Sequence, residues 1–152
     1  MKIEIFINGI DKTDSKFQCN AIIDSLKIGP TVIIIEGKIA KSGYIGSFYD
    51  CSLITKLTMP SSVTLIGCCA FQNCFSIKKV IIPSSVTLIE DGAFNDCESL
   101  EQVLFEIPSS VTSFGPSAFG GCKSLVQINL PSSVTCIEKQ VFQDCTSLTV
   151  IS

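Results

Sequence analysis

The feature that most constrains this chain is a pentapeptide, Pro-Ser-Ser-Val-Thr, which opens four consecutive segments: 60–82, 83–107, 108–130 and 131–152. Their lengths are 23, 25, 23 and 22 residues, and a period in that range is the mark of a stacked repeat array. Superposing the segments places Val63, Val86, Val111 and Val134 in one file, and Ile66, Ile89, Phe114 and Ile137 in the next. A third file holds Phe71, Phe94, Phe119 and Phe142, each followed three residues later by Cys74, Cys97, Cys122 or Cys145. Apolar residues then recur as in Ile77, Val80, Ile82 and in Leu125, Ile128, Leu130. Upstream the pattern decays but persists: Phe48 and Cys51 keep the spacing, Ile54, Leu57 and Met59 hold the strand positions, and Thr31 to Ile39 reads as a degenerate first strand and turn. The array therefore has about five repeats, the first degenerate and the last truncated, over residues 30–152.

One such unit cannot bury its own hydrophobic stripe, whereas stacked units cover one another. The segment Leu-x-x-Ile-x-Leu is a short strand whose neighbour is the same segment one coil away, giving a parallel ladder at ~4.8 Å spacing. Proline ends each strand because it has no N–H for the ladder and fixes its own φ. The phenylalanines at 48, 71, 94, 119 and 142 then form a spine through the stack. Residues 1–29 do not repeat. They read as an N-terminal cap built from an alternating strand at Ile3, Ile5 and Ile7 and a helix from Ser15 to Lys27 that Gly29-Pro30 stops.

Composition removes several classes of function. The chain has eleven Lys, no Arg and fourteen acids, for a net charge of -3, so it lacks the basic surplus and the guanidinium forks of nucleic-acid readers. Histidine is absent, which takes away the commonest general base and zinc ligand. No catalytic residue, metal ligand set or cofactor is expected. The longest aliphatic run, Val32 to Ile35, is far short of the roughly 20 residues that span a bilayer. Glu4 and Asn8-Gly9 interrupt any secretory h-region, so no membrane insertion and a cytoplasmic location are expected. The nine cysteines, an odd number, are read as thiols of a reducing compartment.

Two repeating files invite chemistry and have plainer readings. The cysteine file (51, 74, 97, 122 and 145) suits small hydrophobes at an inward turn better than disulfides, because side chains in parallel register point the same way. Asp50, Asn73, Asp96, Gly121 and Asp144 precede those cysteines and hold hard oxygen donors that calcium would accept. Asp, Asn and Gly are also the residues that turn a chain through φ > 0, and that reading is preferred.

The motif Leu-x-x-Leu-x-Leu-Pro-x-x-Val-x-x-Ile-x-x-x-Ala-Phe-x-x-Cys, best quoted by Leu100 through Cys122 and Leu125 through Cys145, resembles the BspA-like, Treponema-type class of leucine-rich repeats. The resemblance implies an α/β-type repeat solenoid: a leucine-rich-repeat horseshoe with a short parallel concave sheet, turns and short helices on the convex side, and a strand-helix cap. It also implies binding without catalysis, a source among protists such as Entamoeba or Trichomonas, and, as the alternative role, a surface adhesin for host extracellular-matrix proteins.

The variable strand positions face the concave side. Ile81 and Leu104 are adjacent aliphatics there, flanked by Lys56 and Lys79 on one side and by Gln102, Gln127 and Asn129 on the other. An apolar centre with a polar rim is how protein interfaces are built. These seven residues are the expected partner-binding face of an intracellular scaffold or regulatory subunit, for example one that docks a signalling enzyme such as a phosphatase. The adhesin reading requires export to the cell surface by an unconventional route. Phe142, Leu148, Val150 and Ile151 form an apolar end with an unpaired strand edge, through which a homodimer is expected.

Overall fold

The computed structural model describes residues 32–34, 48–52, 54–59, 61 and 63–152. Its strands are β1 (Val32–Ile34), β2 (Lys56–Thr58), β3 (Leu65–Ile66), β4 (Lys79–Ile82), β5 (Leu88–Ile89), β6 (Gln102–Phe105), β7 (Ser113–Phe114), β8 (Gln127–Ile128), β9 (Cys136–Ile137) and β10 (Val150–Ile151). Every pairing is parallel and joins a segment to its equivalent one coil away. One ladder runs β4-β6-β8-β10, a second runs β3-β5-β7-β9, and β1 pairs with β2. The register advances by whole repeats: Val80 lies opposite Val103, Val103 opposite Ile128, and Ile128 opposite Ile151. The expected strand in Thr31 to Ile39 is present in part as β1, whose Ile33 lies opposite Leu57.

The third side of each coil is a turn. There the N–H groups of Phe48, Phe71, Phe94 and Phe119 donate to the carbonyls of Ala70, Ala93, Ala118 and Val141 at 2.8 to 3.0 Å. Asp50, Asn73, Asp96, Gly121 and Asp144 all have φ between 56° and 69°, which identifies their file as turn chemistry. At Gly121 a side chain would first meet the Asp96 carboxylate, the movable end of a flexible side chain, and Asp or Asn takes the same φ at the equivalent positions of the other coils. A second left-handed file, Cys69, Gly92, Ser117 and Gln140, has no residue signature in the sequence.

The core is one column. Val63, Val86 and Val111 are fully buried, as are Ile66, Ile89 and Phe114. Along the column the rings of Phe48, Phe71, Phe94, Phe119 and Phe142 stack with centroids 5.2 to 6.0 Å apart and planes within 10° of parallel. Offset stacking of this kind adds to the area that each ring buries.

One expectation changes. No helix occurs among the described residues, so the horseshoe with short helices on its convex side gives way to a three-sided solenoid of two parallel ladders and a turn. The physical reason is that alternate turn N–H groups, such as those of Cys69, Phe71 and Asn73, donate to the next coil, while those between them, of Ala70, Gln72 and Cys74, close tight turns onto the carbonyls three residues back, so no run of helical i to i−4 bonds forms. The cap over residues 1–29, with its helix from Ser15 to Lys27, lies outside the described residues.

Candidate protein-docking face

Side chains along a strand alternate between its two faces, and β4 shows this directly: Lys79 and Ile81 are exposed, Val80 and Ile82 buried. β6 repeats the pattern with Gln102 and Leu104 outside and Val103 inside. Because Ile81 pairs with Leu104, the two exposed aliphatics stand side by side on the ladder expected to be concave. Each is 43% exposed, while Val80 and Val103 beneath are 0% and 3%. The sequence register is therefore correct here, since a one-residue slip would have reversed these values.

Around this pair the face is polar. Lys79, Gln102 and Gln127 form one exposed file, with Lys79 opposite Gln102 and Gln102 opposite Gln127. Asn129 is exposed and accepts a 2.8 Å hydrogen bond from the Ser152 hydroxyl. Lys56 lies in β2, which packs beside β4; its side chain lies outside the description. Lys78 and Glu101 approach to 3.8 Å with both side chains largely in water, an ion pair worth under about 1 kcal/mol.

Two further aliphatics beyond these seven residues are exposed in the same coils or the next. Val126 is 52% exposed, and Ile107, in the two-residue insertion of its coil, is 93% exposed. The insertion is pinned to the preceding coil, because the Glu106 N–H donates to the Ile82 carbonyl at 3.0 Å and the Ser84 N–H donates to the Glu106 carboxylate at 3.1 Å. An exposed aliphatic on a fixed loop is a signal the sequence did carry, in the extra pair Glu106-Ile107.

The chain's other expected surface is the end of the fourth coil. Phe142 and Leu148 are half-buried against the core, while Val150 and Ile151 are 47% and 51% exposed. Ile137 joins them at 48%, although the equivalent Ile66, Ile89 and Phe114 are fully buried.

The cysteine file is structural in a way that spacing alone does not reveal. The thiols of Cys74, Cys97, Cys122 and Cys145 donate to the carbonyls of Phe48, Phe71, Phe94 and Phe119, one coil back, at 3.1 to 3.3 Å. Burial pushes the Cys74 thiol up to about 12 and raises Cys97 well above its ordinary value. These four are free thiols, as are Cys68, Cys69 and Cys136. The all-thiol reading is corrected at Cys51, which is disulfide-bonded. The parallel-register argument concerns only bonds between members of the file, which are indeed absent among the described residues.

A polar hollow on the turn side, lined by Asn95, Asp96, Ser117, Gly121, Gln143 and Asp144, lies away from the aliphatic pair. No group of three or more His, Cys, Asp or Glu among the described residues is placed to hold a metal. No helix among them is long and apolar enough to cross a membrane. The geometry offers a shallow, mixed surface suited to another macromolecule.

Comparison with known proteins agrees with the architecture. Residues 41–152 match the family model for the BspA type leucine rich repeat region, in six copies. A leucine-rich-repeat protein from T. pallidum is similar with a TM-score of 0.71 at 29% identity, over 79% of this chain and 57% of that one. A leucine-rich-repeat protein from Bacteroides ovatus gives 0.68 at 32% identity, over 80% and 33%. A leucine rich cell surface protein from Faecalibacterium prausnitzii gives 0.57 at 28% identity, over 82% and 38%. The chain thus aligns to between a third and three-fifths of these longer arrays. They are bacterial, and none supports a protist source. No curated protein matches. Leucine-rich-repeat proteins generally act in protein-protein interaction, and on the match over residues 41–152 this chain belongs to the BspA-type leucine-rich-repeat family.

Proposed function

We propose that this protein is a non-enzymatic protein-protein interaction module that docks its partner on the β4-β6-β8 face. The observation that carries the reading is the pair Ile81 and Leu104, held side by side by strand register, each 43% exposed, above a closed core. Isolated exposed aliphatics are ordinary, but a paired set with the polar Lys79, Gln102, Gln127 and Asn129 on the same strands matches an interface centre and rim.

As an intracellular scaffold or regulatory subunit, the module would hold a signalling enzyme by this face. The second reading, display at the cell surface as an adhesin, is favoured by two observations. The similar Faecalibacterium protein is described as a cell surface protein, and Cys51 is in a disulfide, a bond that persists in oxidising compartments. Immunofluorescence of source cells with and without permeabilisation separates the two locations.

The docking reading is tested with Ile81→Glu combined with Leu104→Glu. The double variant should lose by at least tenfold the affinity for any purified partner of the wild type while keeping its circular dichroism and melting temperature. Unchanged affinity would refute the face. Unfolding would refute the register, because both side chains would then belong to the core.

A further inference from the structure

We propose that Cys68 and Cys69 form a dithiol site that chelates trivalent arsenic, as arsenous acid or an organic arsenoxide, through one bond from each sulfur. The site lies on the turn that follows β3 and stands independently of the docking face.

The repeat does not call for thiols at this place. The equivalent pairs of the next three coils are Asp91-Gly92, Pro116-Ser117 and Lys139-Gln140, and Cys69 turns through a φ of 52° just as Gly92, Ser117 and Gln140 do at 53° to 62°. Those coils make the same turn without sulfur. The pair also differs from the cysteine file, whose buried thiols donate to carbonyls one coil back. Cys68 is exposed and Cys69 half-buried, and the Cys69 thiol donates toward the Cys68 sulfur, so the two sulfurs lie together at the surface. The next coil leaves room beside them: a methyl on Gly92 would sit 3.4 Å from the Cys69 sulfur, a place that glycine keeps open.

Geometry selects among the ligands a dithiol can take. The backbone is pinned at both residues, because the Cys68 N–H donates to the Glu90 carboxylate at 3.0 Å and the Cys69 N–H to the Asp91 carbonyl at 2.8 Å. Adjacent Cα atoms across a trans peptide are ~3.8 Å apart, closer than the ~4.4–6.8 Å of an ordinary disulfide, so closing an S–S bond would distort a fixed turn. An atom bridging the two sulfurs removes that demand. Structural zinc takes four ligands, and no group of three or more His, Cys, Asp or Glu among the described residues is placed to hold a metal. Trivalent arsenic accepts two sulfurs and keeps a hydroxyl or a carbon as its third ligand.

Charge selects the same ligand. Burial, with Asp91 and Glu90 behind it, raises the Cys68 thiol, and burial pushes Cys69 up to about 11, so both are protonated at neutral pH. Chemistry that requires a thiolate is slowed. Condensation with an As–OH group proceeds from the neutral thiol: the S–H proton goes to the departing hydroxyl, an As–S bond replaces an As–O bond, and water leaves. No oxidation state changes, and no charge appears beside Glu90 and Asp91.

The probe is phenylarsine oxide, added to the full chain without reductant. Intact-mass spectrometry should show one phenylarsenic group gained and two hydrogens lost per chain, with one water released. The adduct should survive excess monothiol and be stripped by ethanedithiol. Cys68→Ser and Cys69→Ser should each weaken retention by about 10²–10⁴-fold, because the second bond is then no longer intramolecular. Cys68→Ser changes an exposed side chain and should keep the wild-type circular dichroism, so its loss of binding cannot come from unfolding. Cys136→Ser, which removes an exposed thiol without a cysteine beside it, should bind as the wild type does. A wild type that holds no adduct against monothiol overturns the proposal. Undiminished retention in Cys68→Ser, or loss of the adduct in Cys136→Ser, overturns it equally.

Discussion

Truncation of Phe94 to alanine measures how the column is held. Phe94 is fully buried, with the ring of Phe71 at 5.2 Å on one side and that of Phe119 at 5.4 Å on the other. Removing a buried phenylalanine costs about 3–5 kcal/mol through lost transfer energy and the cavity left behind. Two stacking partners, each adding about 0.5–1.5 kcal/mol beyond area, place this site near the top of that range. Phe142 offers an internal control: it is half-buried and has one stacked neighbour, Phe119, at 6.0 Å. Its truncation should cost about 1–2 kcal/mol, since both the buried area and the ring contacts are roughly halved. Urea unfolding followed by circular dichroism reads both values, and the thermal midpoint of Phe94→Ala should fall by about 8–20 °C at ~2–4 °C per kcal/mol. A loss under about 2 kcal/mol at Phe94, or one no larger than at Phe142, would refute the idea that the stacked rings are the spine of the fold.

Gly115→Ala should destabilise by about 1–3 kcal/mol, because an added methyl would meet the Asp91 nitrogen at 2.6 Å and the Glu90 carbonyl carbon at 2.8 Å, both backbone atoms with little room to move. A change under about 0.5 kcal/mol in the same urea assay would contradict that contact. Stability should decline in alkali: burial raises the Cys74 and Cys97 thiols above their unfolded values, so their contribution is fully present below about pH 9 and is lost as the pH rises toward the folded values, at about 1.4 kcal/mol per pH unit per thiol. A melting temperature that Cys97→Ala leaves equally sensitive between pH 9 and 11 would count against it. Thiol titration in denaturant without reductant should find seven groups, the nine cysteines less the two of one disulfide. Nine would restore the all-thiol reading.

The sequence determined the coil. The Pro-Ser-Ser-Val-Thr openings, the phenylalanine file and the spacing of Val80, Val103 and Ile128 are legible because each coil repeats the same burial problem, and period alone assigns the inward positions. The same alternation marks Ile81 and Leu104 as outward neighbours in the sequence alone. The left-handed turns at Asp50, Asn73, Asp96 and Asp144 were readable too, since those side chains tolerate φ > 0. What the tertiary structure alone decided is how the coil closes. Cys69, Ser117 and Gln140 adopt the left-handed conformation without the usual residue types, and Cys69 and Ser117 do so while donating to Asp91 and Lys139 of the next coil. Those intercoil bonds accompany the turn at Cys69 and Ser117, while Gln140 takes the same φ without one, so the repeated tight i to i−3 turns hold the place of the expected helices. Likewise Leu65-Ile66, Leu88-Ile89, Ser113-Phe114 and Cys136-Ile137 form a second ladder that two-residue segments could not announce. The thiol bonds from the cysteine file to the phenylalanine carbonyls belong to the same class. A hydrogen bond to the next coil leaves no trace in the residue that makes it, because its partner is backbone and lies a whole period away.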